Sequence, residues 1–170
     1  MQLRAGSELA GFIIERVLGA GGMGSVYAAR HPRLKRTVAL KVLDASFAAS
    51  DESRTAFARE AKLASGLDHS NIVQVFDCSD VDAVPLWISM RHVAGGDLAG
   101  ALNHRPGGLE VERIMRLVTD AAHALDYAHA HDGASTTMLM RMSGHGHTRY
   151  GLAIGHEHRP GLPAGQQARQ

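Results

Sequence analysis

Between Val17 and His31 the chain reads VLGAGGMGSVYAARH, with four glycines in the six positions from Gly19 to Gly24 and strand-like alternation directly behind them. Glycine inside regular structure is less stable than alanine by up to about 1 kcal/mol per residue, so such a cluster marks a tight turn or a close backbone approach. The flanks, Gly11 to Gly19 (GFIIERVLG) and Ser25 to Arg30 (SVYAAR), read as two strands joined by that turn. A chain that opens this way builds an antiparallel hairpin first. The spacing Gly19, Gly21, Gly24 also fits a dinucleotide fingerprint, but that motif needs its glycines to open a helix within a βαβ unit. Here Ser25-Val26-Tyr27 continues as strand, which argues against it.

Two readings of the turn remain. One is a plain hairpin with an over-rich tip. The other is a flexible hairpin lying over nucleotide phosphates, with bare backbone N–H groups facing the oxygens. The second reading makes demands on the next stretch. Thr37 to Leu43 (TVALKVL) is a third strand candidate, in which Lys41 alternates with Ala39 and Leu43 on one face. An isolated strand lysine is ordinarily a solvated edge; on that face its ammonium would point under the glycine turn. Ser50 is placed to cap a helix with Asp51 and Glu52 in its first turn, where negative charge suits the exposed N–H groups. Phe57, Ala61, Ala64 and Leu67 form that helix's apolar stripe, and Glu60 sits mid-helix. Taken alone, Glu60 is a surface charge. Taken with Lys41, it is the partner that would hold an ammonium against phosphates.

The remaining segments are NIVQVFDC and PLWISMRHV as two more strands, GGDLAGALNH as a short helix, and Glu110 to His131 as a long one. In the long helix Ile114, Leu117, Val118, Ala121, Leu125 and Ala128 recur at three- and four-residue steps. Beyond Asp132 the periodicity stops, and Gly, His, Arg and Met dominate. At 170 residues and 45% hydrophobic the chain supports one domain with a core, and a net charge of +1 gives no argument for nucleic acid or a membrane surface. A single cysteine, Cys78, excludes an internal disulfide framework. With no long apolar run and no signal-peptide pattern, a soluble cytoplasmic protein without a membrane segment is expected.

The motifs LGAGGMGSVY, VALK, FAREAKLASGLDHSNIV, LWISMRHVAGGDL and AAHALDYAHAH stand in one order and spacing across roughly residues 8–132. In them the chain resembles the N-terminal lobe of a protein kinase, specifically the bacterial serine/threonine kinases of eukaryotic (Hanks) type. The resemblance implies an α+β fold: a five-stranded antiparallel sheet with one long helix, then a partial helical C-lobe and an unstructured tail. The corresponding divisions are a nucleotide-binding lobe at 8–93, the hinge exit and first C-lobe helices at 94–132, and an aberrant tail at 133–170. It also implies ATP as ligand, with Mg2+ in complete members, and protein substrates. Leu18 and Val26 would cover the adenine with Ala39 beneath; Gly19, Ala20, Gly21, Gly22, Met23 and Gly24 would cover the phosphates. Lys41 would contact the phosphates and pair with Glu60. Met90 falls at the gatekeeper position, and Arg91, His92 and Val93 at the hinge. Asp97 is placed to reach a ribose hydroxyl or to cap the short helix, and both can hold at once.

The resemblance then breaks. The family follows its long helix with an H-R-D-x-K-P-x-N loop, and later with D-F-G and A-P-E motifs. This chain has DGASTTMLMRMSGHGH after His131, and Asp132 is its last carboxylate before Glu157. No catalytic base and no metal ligand is therefore assigned. The codons of Ser135 to Leu139 can spell His-His-Asp-Val in a shifted frame, where the family has His-Arg-Asp; loss of the reading frame near residue 132 is one expectation. A competing reading rests on His129/His131, His145/His147 and His156/His158, three His-x-His pairs that suit a metal-binding or non-catalytic interaction fragment. Against it stands the absence of rigid elements to hold a built site. An uncovered stripe on the Glu110–His131 helix would leave the fragment poorly folded. Substrate and oligomeric state are not legible.

Overall fold

The structure, a computed structural model, describes residues 3–21, 24–46, 48–94, 98–103, 105 and 107–131. The expected unstructured tail at 133–170 lies outside the described residues, as do Gly22, Met23 and Asp97.

Six strands form one antiparallel sheet: β1 (Glu8–Leu9), β2 (Phe12–Gly21), β3 (Gly24–Arg30), β4 (Thr37–Leu43), β5 (Val75–Cys78) and β6 (Trp87–Arg91), in the order β1-β2-β3-β4-β6-β5. The two-residue β1 adds a sixth strand to the five read from the sequence. Helices α1 (Asp51–Ser65), α2 (Leu98–Asn103) and α3 (Val111–Ala130) complete the described elements.

Strand β4 is central and buried on both faces, as a strand flanked by β3 and β6 and covered on each side must be. Val38, Leu40 and Val42 point into a cluster with Phe12, Ile14, Tyr27, Ala29 and Trp87. Leu43, on the opposite face, joins Phe57, Ala61 and Ala64 of α1 together with Ile72, Val75, Leu86 and Ile88. Helix α1 starts where the sequence places it: the extended Ser50 accepts a hydrogen bond from the Ser53 N–H at 3.2 Å, with Asp51 and Glu52 in the first turn. All four stripe residues, Phe57, Ala61, Ala64 and Leu67, are buried.

Helix α3 behaves differently. Only Ala124 and Ala128 are buried, entering the α1-side cluster near the helix's C-terminal end. Around them Asn71 Nδ2 donates to the Asp120 carbonyl at 3.2 Å, and the His69 ring lies 5.0 Å from that of Tyr127. Toward the N-terminus, Val111, Ile114, Met115 and Val118 are all exposed.

Candidate functional site

The glycine stretch, read as a turn from Gly19 to Gly24, proves to be the tip of a longer hairpin. The β2–β3 ladder carries on through Gly19↔Val26 and Ala20↔Ser25 to Gly21↔Gly24. The strand ends given by the sequence, Gly19 and Ser25, are therefore corrected to Gly21 and Gly24. The small residues break the side-chain cover without breaking the hydrogen-bonded pairing. Gly24 has a positive φ of 143°, and a Cβ there would overlap the Val42 carbonyl oxygen and stand 2.9 Å from Leu43 Cα. That glycine lets β3 press against the end of β4. The register shifts between Val17 and Gly19, which puts the half-buried Leu18 at an irregularity beside Val26.

Directly opposed residues of antiparallel strands share a face. Val26 pairs with Lys41, Lys41 with Ile88, and Ala39 with both Ala28 and Met90. Val26, Ala39, Lys41 and Met90 therefore lie on one face of the sheet, the face that α1 covers in part. Lys41 is only 7% exposed. Burial pulls its ammonium down from the usual 10.5 to about 8, opposed by the carboxylate of Glu60. An ammonium held there, with a counter-charge on the adjoining helix, is suited to hold a polyanion.

At the sheet's exit, the exposed Arg91 pairs with Val38, and its backbone N–H donates to the Gln74 carbonyl at 2.9 Å. That N–H is committed within the fold. His92 and Val93, half-buried, follow directly. Of the candidate residues, the structure brings Val26, Ala39, Lys41, Glu60 and Met90 to one side of the sheet, with Leu18, Gly19, Ala20, Gly21 and Gly24 along the hairpin and Arg91 and Val93 at its exit. Two contacts around the site escape sequence reasoning. They are the Asn71 anchor on α3 and hydrogen bonds from Arg54 Nη1 to the carbonyls of Val81 (2.8 Å) and Ala83 (3.0 Å). Both join a side chain to distant backbone, and no local pattern encodes them.

Among the described residues no three His, Cys, Asp or Glu side chains gather as a metal site, and they offer Mg2+ no fitting acidic cluster. His131 Nδ1 lies 2.9 Å from the Tyr127 carbonyl, and its ring stacks on Tyr127 at 4.0 Å. His145, His147, His156 and His158 lie outside the described residues. No helix among the described residues is long and apolar enough to cross a membrane.

The profile of the protein kinase domain matches residues 12–133. The serine/threonine-protein kinase PknF of Mycobacterium tuberculosis is 49% identical over 130 residues, covering 76% of this chain and 27% of that protein. PknJ of Mycobacterium bovis is 48% identical over 128 residues, covering 75% and 21%. A mutant form of the PknI kinase domain from M. tuberculosis superposes with a TM-score of 0.69 at 42% identity, covering 76% of this chain and 53% of that one. The chain thus spans about a quarter of the length of these curated relatives and about half of a solved kinase domain. With the hairpin, the buried lysine and the helix glutamate all within the matched stretch, the chain belongs to the protein kinase domain family, as a partial domain of the bacterial serine/threonine type.

Proposed function

We propose that this chain is the ATP-holding part of a serine/threonine protein kinase and does not transfer phosphate on its own. The observation that carries the reading is Lys41: a buried ammonium, balanced by Glu60, on the sheet face beside the glycine hairpin. The polyphosphate of ATP would meet that ammonium and the backbone N–H groups of Gly19 to Gly24, under a flap that Gly24 lets approach β4. The adenine would lie between Leu18 and Val26 above and Ala39 below, next to Met90. With the Arg91 N–H committed to Gln74, the adenine-facing N–H falls to Val93, and Asp97 is left for the ribose.

In the whole family, the γ-phosphoryl group passes from ATP to a serine or threonine hydroxyl, and positioning of nucleophile and metal supplies most of the rate. The sequence past His131 holds no H-R-D, D-F-G or A-P-E motif, so the nucleophile and Mg2+ have no matching holders. The family match stops at residue 133 while the chain runs to 170. We attribute that stop to a shifted reading frame, which sequencing the gene around codon 132 decides. Calorimetry with a non-hydrolysable ATP analogue is expected to show binding that Lys41→Ala abolishes. No heat at millimolar analogue would refute the reading, and so would labelling of a serine peptide from radioactive ATP at an ordinary enzymic rate.

A further inference from the structure

Glu60 can balance Lys41 only if α1 is held at one tilt and one rotation. Packing specifies this weakly. Of the buried residues within α1, Phe57 is the one large side chain, while Ala61 and Ala64 contribute single methyl groups that interlock little with the sheet. One turn before Phe57, Arg54 makes the two hydrogen bonds to the Val81 and Ala83 carbonyls, reaching 27 and 29 residues along the chain. Both bonds leave the one nitrogen Nη1, which donates to the two carbonyls, and as charge-assisted bonds to separate acceptors they fix direction as well as distance.

The acceptor loop is itself braced. The Ala83 N–H donates to the Asp80 carbonyl at 3.1 Å, Ser79 and Trp87 exchange hydrogen bonds, and the Leu43 N–H donates to the Leu86 carbonyl at 2.9 Å. Leu43 is two residues beyond Lys41 on the same strand and face. The loop that receives Arg54 is thus fastened to the end of the strand that carries the ammonium. Arg54 and Glu60 are six residues apart, about 9 Å along the helix axis, so release at Arg54 is felt at Glu60 as a change of tilt.

We infer that Arg54 is a positioning residue: by clamping the first turn of α1 to the loop between β5 and β6, it sets where Glu60 stands relative to Lys41. The inference rests on reading Lys41 and Glu60 as part of a phosphate-holding site, and its test is therefore made without nucleotide. Lys41 is titrated by NMR of its ε-methylene carbon in the full chain, in Arg54→Ala, in Glu60→Gln and in the double variant, with thermal unfolding alongside. In Arg54→Ala the Lys41 titration moves from its wild-type position toward that of Glu60→Gln by about half a unit or more. Once Glu60 is glutamine, Arg54→Ala moves it no further. Arg54→Lys, which keeps the charge on a shorter side chain without the planar guanidinium, gives an intermediate position. A merely structural arginine lowers the melting temperature in both backgrounds and leaves Lys41 unmoved, which overturns the inference. If Arg54→Ala does not fold, an unmoved Lys41 in Arg54→Lys overturns it equally. A chain that fails to bind ATP yet shows the shift refutes the proposed function and keeps the clamp.

Discussion

Helices α1 and α3 both carry regular apolar stripes, yet the fold closes the first and leaves the second partly open. On α1 the stripe is closed: Phe57, Ala61 and Ala64 lie under the sheet, and Leu67 follows them into the same cluster. On α3 the stripe is graded: Ile114 and Val118 are 42% and 59% exposed, Leu117, Ala121 and Leu125 are half-buried, and Ala128 is buried. Periodicity reports that a helix has an apolar side. It does not report whether the described residues contain anything to cover that side. The α1 half holds together as a two-faced sheet with a helix on one side, whereas α3 is attached by its C-terminal turns and, toward its N-terminus, is left uncovered by the described residues.

The sharpest way to break this comparison is to remove apolar bulk from each helix in turn. Phe57→Ala leaves a cavity in the closed cluster and is expected to lower stability by about 3–5 kcal/mol. Val118→Ser, on the exposed stretch of α3, is expected to change it by no more than about 0.5 kcal/mol and to reduce self-association. Urea unfolding measures the first effect, and light scattering the second. Comparable losses from both substitutions would mean that α3 is covered after all.

Much of the closed half is written locally, which is why it is legible. Ser50, Asp51 and Glu52 announce the start of α1 with donors and charges that act within a single turn. Lys41 and its apolar neighbours show their face by the alternation of one strand. The hairpin is legible in kind but not in extent, because the sequence marks glycines but not the ladder that runs through them. The exposure on α3 is not legible in its stripe, because burial depends on what stands opposite; only the resemblance, with the later helices that this sequence lacks, points to an uncovered side. The same holds for Arg54 and Asn71, whose partners are backbone carbonyls far along the chain and carry no residue signature.

The closed half also holds a charge, and that gives a second test. Lys41 is pulled from 10.5 to about 8 by burial, against the opposing pull of Glu60. Below the folded value the native state must keep a desolvated ammonium, so the penalty is fully present. Between about 8 and 10.5 the unfolded chain binds the extra proton and the folded chain does not, so stability rises with pH across that window. A displacement of this size corresponds to on the order of 3 kcal/mol. Lys41→Met removes the titrating group. The difference in unfolding free energy between wild type and Lys41→Met is therefore expected to move in favour of wild type from pH 8 to 10.5. A difference that stays flat there would place the ammonium in water, and the closed half would be closed no longer.

The smallest expected effect bears on where the open helix is fastened. Asn71 Nδ2 donates to the Asp120 carbonyl at 3.2 Å, and the same loop presents His69 to Tyr127. His69 Nδ1 in turn accepts from the Asn71 N–H at 3.1 Å, so the asparagine is held in place by the residue that also packs on α3. Asn71→Ala removes one partly buried hydrogen bond, a loss of about 1 kcal/mol. That carbonyl remains free to accept within the helix, which keeps the loss from growing. Hydrogen exchange locates the effect better than global unfolding does. In the wild type, protection is expected to rise along α3 from Val111 toward Ala128, following burial. Asn71→Ala should lower it in the C-terminal turns around Asp120 to Ala128, while α1 keeps its protection. Equal losses along both helices would show that α1 and α3 open as one unit, and the contrast between them would then describe their surfaces but not their energetics.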